Sequence, residues 1–255
     1  MNPYLAEFLG TLILVLLGNG VVANVLLAKT KGHNAGWIVI TAGWGIAVFV
    51  GASISAEASG AHLNPALSVA IFVAEIGKSG GFSLADAIRY IAAQMAGAIL
   101  GGALVYAFYR PHFNAGDDAD AKLACFCTAP NIRGSAQAFF CEVIGTFVLA
   151  LPIFLMQKPT IENVAASMDG APTLGLGAVG LFPVAVLVFG IGLSLGGTTG
   201  YAINPARDLG PRIAHALLPI RGKRDSDWGY AWVPVLGPIA GAVAAAILYR
   251  AVGAN

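Results

Sequence analysis

Six stretches of this chain, at roughly 4–28, 36–57, 84–109, 136–156, 174–196 and 228–251, are each apolar over the length of a membrane crossing. A helix needs about 20 such residues to span the hydrocarbon core. Inside lipid every backbone N–H and C=O must find its partner within the element, so long apolar segments of this kind are helices. Two further apolar stretches, 64–76 and 204–218, are too short to span. At about 1.5 Å per residue a 12-residue helix covers about 18 Å, or half the membrane. Both short stretches start at the same tripeptide, Asn64-Pro65-Ala66 and Asn204-Pro205-Ala206. Asn is a favoured N-cap and Pro is tolerated at the first helical position, so each tripeptide predicts an abrupt helix start.

Composition agrees with a membrane chain. Of 255 residues, 57% are hydrophobic and 11% are charged, against roughly 25% charged in soluble domains. A net charge of +1 with no basic stripe argues against a nucleic-acid partner. The 33 glycines suit close helix approach in a bilayer. Cys125 and Cys127 fall in a polar loop and Cys141 in an apolar run. No C-x-x-C pair or nearby His set accompanies them, so no metal and no cofactor is expected. Met1–Leu17 lacks a basic start and carries Glu7, unlike a cleaved signal.

The chain also repeats itself. Ala6-Glu7-Phe8-Leu9-Gly10-Thr11 matches Cys141-Glu142-Val143-Ile144-Gly145-Thr146 as E-x-x-G-T. Gly97 and Gly101 match Gly237 and Gly241 at the same 140-residue offset as the two Asn-Pro-Ala boxes. Each half holds three spans, an odd number, so the second half is inserted upside down. The expected organisation is a single channel domain over 1–255: repeat one at 1–110, a connecting loop at 111–135 and repeat two at 136–255. Inverted repeats place sites near the midplane, at interrupted helices. The two half-helices then meet N-terminus to N-terminus.

The backbone before each half-helix must be irregular at membrane depth, which is tolerated only where protein or a watery cavity surrounds it. Gly60, Ala61, His62 and Leu63 in the first half, and Gly200 and Ala202 in the second, are expected to form a ladder of carbonyl acceptors. The Asn64 and Asn204 amides add donors at the centre. Two helix N-termini, each carrying roughly half a positive charge, oppose cations and protons there. This arrangement predicts a pore for neutral solutes.

The paired boxes, the E-x-x-G-T starts and the stretch Asn204-Pro205-Ala206-Arg207-Asp208-x-Gly210-Pro211-Arg212 resemble the major intrinsic proteins, the aquaporins and aquaglyceroporins. The likeness runs from Ala6 to about Arg250. It implies an all-α membrane fold of six helices plus two re-entrant half-helices, one pore per subunit, a homotetramer, and cytoplasmic termini in the plasma membrane. It also implies a selectivity filter of Trp44, Gly192, Tyr201 and Arg207. Glycine stands where water-selective members typically have histidine, so room is expected beside the two rings. Trp44 and Tyr201 form an apolar corner facing the donors of Arg207, which suits a small polyol. Glycerol facilitators usually have Phe where Tyr201 stands, and the added hydroxyl is expected to narrow or polarise the corner. The positions that separate subfamilies, Tyr106, Asp208, Arg212, Pro234 and Val235, follow the glycerol-facilitator pattern.

Glu7 and Glu142 are carboxylates inside apolar spans, a functional signal by default. The expected role is to accept from N–H groups of the re-entrant loops. His62 is expected to brace its loop. His33, His112 and His215 have no ligand spacing, and Asp117, Asp118, Asp120, Lys158 and Glu162 read as ordinary solvated charges. No Ser/His/Asp set or nucleotide loop is present, so an enzyme is not expected. The leading expectation is passive passage of glycerol, similar small neutral solutes and water. The alternatives are a water-selective channel and an ion-coupled carrier. Lys and Arg placement alone favours the opposite orientation, by the positive-inside rule. The orientation follows the resemblance.

Overall fold

The computed structural model describes residues 1–156 and 176–253. Lys158, Glu162 and the first residues of the fifth expected span lie outside them. The elements are α1 (Pro3–Leu26), α2 (Trp37–Ser59), α3 (Pro65–Glu75), α4 (Leu84–Ala115), α5 (Ala119–Ala124), α6 (Ser135–Leu155), a 3-10 turn (Gly177–Leu181) running into α7 (Phe182–Ser194), α8 (Pro205–Leu217) and α9 (Val233–Ala251). Among the described residues six are long and apolar enough to cross a membrane: α1, α2, α4, α6, α9 and the turn with α7. The half-helices α3 and α8 have 11 and 13 residues. Each starts where its Asn-Pro predicts. The Asn64 side chain accepts from Ala66 N, and that of Asn204 from Ala206 N and Arg207 N.

α4 runs on to Ala115, past Pro111 and beyond the expected end near 109. Its last turn is held by tertiary contacts that outweigh the proline. Phe113 is fully buried against Tyr106 and Phe126, and His112 Nδ1 lies 3.0 Å from Ala28 O. α9 starts at Val233, later than expected. Trp228–Trp232 is apolar but forms turns, and Pro234 sits in the first helical turn, where proline is preferred. The connecting segment is also less polar in fact than in composition. It contains α5, and Cys125, Phe126 and Cys127 are buried, with Phe126 O accepting from Asn19 Nδ2 at 3.1 Å. Burial pushes both thiols well above the ordinary cysteine range.

Packing follows the duplication. α1 lies against α2 and α4, and α6 lies against α9. Gly97 and Gly241 let these pairs close: a Cβ at Gly97 would lie 2.3 Å from Phe8 O, and one at Gly241 would lie 2.1 Å from Val143 O. The half-helices are exchanged between repeats. α3 packs chiefly on α9, and α8 chiefly on α4. The first contact is alanine on alanine, with Ala66, Ala70 and Ala74 facing Ala242, Ala245 and Ala246. The second brings Gly210 onto Ala98 and Gly102 onto Pro211.

Candidate functional site

The two intramembrane carboxylates each hold one re-entrant loop. Glu7, fully buried, accepts four donors. Its Oε1 takes Ser59 Oγ at 2.6 Å and His62 N at 2.9 Å, and its Oε2 takes Leu63 N and Gln94 Nε2, both at 2.7 Å. Glu142 does the same in the other repeat. Its Oε1 accepts Thr199 Oγ1 at 2.7 Å and Ala202 N at 3.0 Å, and its Oε2 accepts Ile203 N at 2.8 Å. Ala61 N and Tyr201 N donate to Ser59 Oγ and Thr199 Oγ1.

In a trans peptide the carbonyl points opposite to the N–H of the next residue. Drawing these N–H groups toward the carboxylates therefore turns the carbonyls of Gly60, Ala61 and His62, and of Gly200, Tyr201 and Ala202, the other way. The turn requires left-handed backbone at matched positions. Gly60 and Gly200 have φ of 81° and 86°, Ala61 and Tyr201 have 55° and 38°, and Leu63 and Ile203 have 50° and 42°. Such values are costly for non-glycine residues, and most of all for β-branched Ile203. They persist because the surroundings over-determine them.

At the centre the two loops brace each other. Asn64 Nδ2 donates to Ile203 O and Asn204 Nδ2 to Leu63 O, both at 2.8 Å. Each amide has two N–H donors, so one remains. Leu63 thus differs from the other ladder residues, since its carbonyl already accepts from Asn204. The N-termini of α3 and α8 are joined here.

A cavity of about 590 Å³ on one side is lined by Gly60–Asn64, Tyr201–Asn204 and apolar side chains such as Leu14, Leu67 and Val188. A smaller one of about 280 Å³ is lined by Trp37, Cys127, Thr128 and Gly200, among others. Trp44, Tyr201 and Arg207 line both, so the two spaces meet at these three residues. Arg207 Cζ lies 3.9 Å from the Trp44 ring centroid, a cation–π contact. Among the described residues its guanidinium donates to no protein acceptor.

Gly192 lines neither cavity, and the room expected beside the rings is filled. A Cβ there would lie 2.8 Å from Thr41 Cγ2 and 3.0 Å from Tyr201 Cζ. The glycine provides a shelf on which the Tyr201 ring rests. The Tyr201 hydroxyl is buried without a protein partner among the described residues, as is the Trp44 indole N–H.

Directly after Arg207, Asp208 and Arg212 form a fully buried pair. Arg212 Nε and Nη2 reach Asp208 Oδ1 at 2.9 and 2.8 Å. Asp208 Oδ2 accepts from Thr128 N and Oγ1, both at 2.7 Å. Arg212 also donates to the carbonyls of Thr128, Ser226 and Asp227. One ion pair thus ties the segments at Thr128 and at Ser226–Asp227 to α8.

A family model described as "Major intrinsic protein" matches residues 1–249. This chain belongs to the major intrinsic protein family. It is 51% identical to the "Probable glycerol uptake facilitator protein" of Thermotoga maritima, over 98% of this chain and 99% of that one. It is 49% identical to the "Glycerol uptake facilitator protein" of Streptococcus pneumoniae (strain R6), over 98% of each. Among solved structures it is similar to the X-ray structure of the aquaglyceroporin from Plasmodium falciparum, with TM-score 0.77, 31% identity, and coverage of 96% and 93%.

As a major intrinsic protein the chain is an integral multi-pass membrane protein, and its other expected residues fall into two groups. Tyr106 donates to Pro219 O at 3.0 Å, beyond the end of α8. Pro234 and Val235 lie in the first turn of α9 and line neither cavity. His62 Nδ1 is 3.1 Å from Ser68 Oγ, and its ring packs between Phe82 and Tyr90, a bracing position. Asp118 caps α5 and Asp120 pairs with Arg224, so neither is simply solvated. The side-chain roles of Ser59 and Thr199, and the residues Gln94, Trp37 and Thr128, escaped sequence reasoning. The first two are hydroxyls at the 140-residue offset and Gln94 is a polar residue inside a span, so a signal exists for these. Nothing local marks Thr128.

Proposed function

We propose that this major intrinsic protein is a passive channel for glycerol and other small neutral solutes, with water also passing and ions and protons excluded. The observation that carries the reading is the one-sided constriction. Trp44 and Tyr201 line it with aromatic carbon, and Arg207, whose guanidinium lies over the Trp44 ring at 3.9 Å, donates to no protein acceptor among the described residues. A polyol has a carbon edge and a hydroxyl edge, and this aperture offers a surface to each. The near full-length likeness to glycerol uptake facilitators supports the same solute.

The path then follows from the loops. A hydroxyl leaving Arg207 meets the Gly200, Tyr201 and Ala202 carbonyls, then the free N–H of Asn204 and Asn64, then the His62, Ala61 and Gly60 carbonyls. Each step exchanges one hydrogen bond for another, so no step carries the cost of roughly 2–7 kcal/mol of burying an unpaired hydroxyl. An ion has no such replacement for its hydration. Stripping it costs several kcal/mol or more even after protein relaxation. A cation must also face two abutting helix N-termini and Arg207. Glu7 and Glu142 act as supports of the loops, and Asp208 and Arg212 as supports of the outer rim.

In this reading the protein is a homotetramer in the plasma membrane with cytoplasmic termini, so the smaller cavity faces outward. Purified protein in liposomes tests the function. Glycerol uptake is expected without any gradient of H⁺ or Na⁺. Uptake that requires such a gradient means a coupled carrier, and osmotic shrinkage in glycerol without reswelling means a water channel.

A further inference from the structure

We propose that Trp37 is a positioning residue of the constriction, which holds the Tyr201 ring against α7 and so sets the largest polyol that passes. Trp37 is the first residue of α2 and lines the smaller cavity. Three contacts tie it to the aperture. Its Nε1 donates to Gly192 O at 2.9 Å, on the same shelf that carries Tyr201. Its ring meets that of Tyr201 edge to face, with centroids 5.8 Å apart at 77°. Both rings also close over Gly196, where a Cβ would lie 2.4 Å from Tyr201 Cδ1 and 3.0 Å from Trp37 Cζ2.

Tyr201 has no anchor of its own, because its hydroxyl finds no protein partner among the described residues. Its ring is located by α7 beneath and Trp37 at its edge. An indole that is hydrogen-bonded to the shelf is itself fixed, so it works as a stop. Without it, the ring tilts outward into the vacated space and away from Arg207, and the aperture widens. Trp37 also adds a third aromatic wall to the cavity that a solute enters before the constriction.

The inference rests on the glycerol-channel reading and is tested with it. Permeabilities of glycerol, erythritol and water are measured for wild type, Trp37→Ala, Trp37→Phe, Tyr201→Ala and the double variant. Trp37→Ala is expected to raise the erythritol-to-glycerol ratio by roughly tenfold, the change that about 1.4 kcal/mol of lost restraint produces. Trp37→Phe keeps an edge contact without the hydrogen bond and is expected to give a smaller rise. In the Tyr201→Ala background the Trp37→Ala change is expected to have no further effect, because Trp37 acts through that ring. A wild-type channel that passes glycerol, with the ratio unmoved or lowered in both Trp37 variants, overturns the assignment. So does an equal effect with and without Tyr201. If Trp37→Ala does not yield folded protein, the Trp37→Phe ratio decides. Wild-type protein that passes no glycerol overturns the channel reading instead.

Discussion

At the constriction the decisive atom is one that is absent. Gly192 lacks a Cβ, and the space is taken by Thr41 and the Tyr201 ring, so a methyl there has nowhere to go. Gly192→Ala is expected to push that ring toward Arg207. The overpacking itself costs about 1–3 kcal/mol of stability, and the narrowed aperture is expected to lower glycerol permeability more than water permeability. Stopped-flow light scattering in glycerol and in sucrose gradients measures both. A variant with wild-type glycerol flux would mean that the shelf does not set the aperture. Arg207 makes a related point. Its guanidinium lies over an indole face and forms no ion pair among the described residues, which keeps its N–H groups available to a solute.

Among the elements, the half-helices are the most legible in sequence. Asn64-Pro65 and Asn204-Pro205 announce their starts, and short apolar length announces that they stop halfway. The spans follow from apolar length alone. Legibility ends where tertiary contacts override local signals. Pro111 does not end α4 because buried Phe113 holds the turn beyond it, and Cys125–Cys127 is buried although its neighbours are charged. The filter is half legible. The resemblance to the major intrinsic proteins picks out Trp44, Tyr201 and Arg207 from their places relative to the boxes, but the filling of the Gly192 space depends on α7 meeting α2. In sequence Asp208 and Arg212 stand only as positions that separate subfamilies, whereas their ion pair and their hold on Thr128, Ser226 and Asp227 come from the fold. That hold predicts a cost. Arg212→Met leaves the Asp208 carboxylate buried without its counter-charge, which destabilises by about 3–5 kcal/mol. A lowered thermal midpoint of the detergent-solubilised protein is the expected outcome, and an unchanged midpoint would make the pair dispensable.

For the whole molecule, the exchange of half-helices means that neither repeat is complete. α3 finds its main packing partner in α9, and α8 finds its own in α4. The Asn64 and Asn204 bonds also cross from one repeat to the other. Residues 1–134 expressed alone are therefore expected to aggregate in detergent, and co-expression with a second piece starting at Ser135 is expected to restore monodisperse protein with glycerol flux. Size-exclusion profiles and liposome uptake check this. A first half that is monodisperse by itself would show that the exchange is not needed for folding.

The mutual brace at the centre carries a further consequence for how flow is directed. A carrier must present its site to one side and then to the other, and needs an element with two resting arrangements. Here both loop ends are pinned by buried carboxylates and bonded to each other at 2.8 Å, so the site is continuous with both cavities at once. Such a passage has no pumping direction of its own. Net flow stops when the solute's chemical potential is equal on the two sides, so the sign of net flow belongs entirely to the cell, which can hold the flow inward only by consuming what has entered.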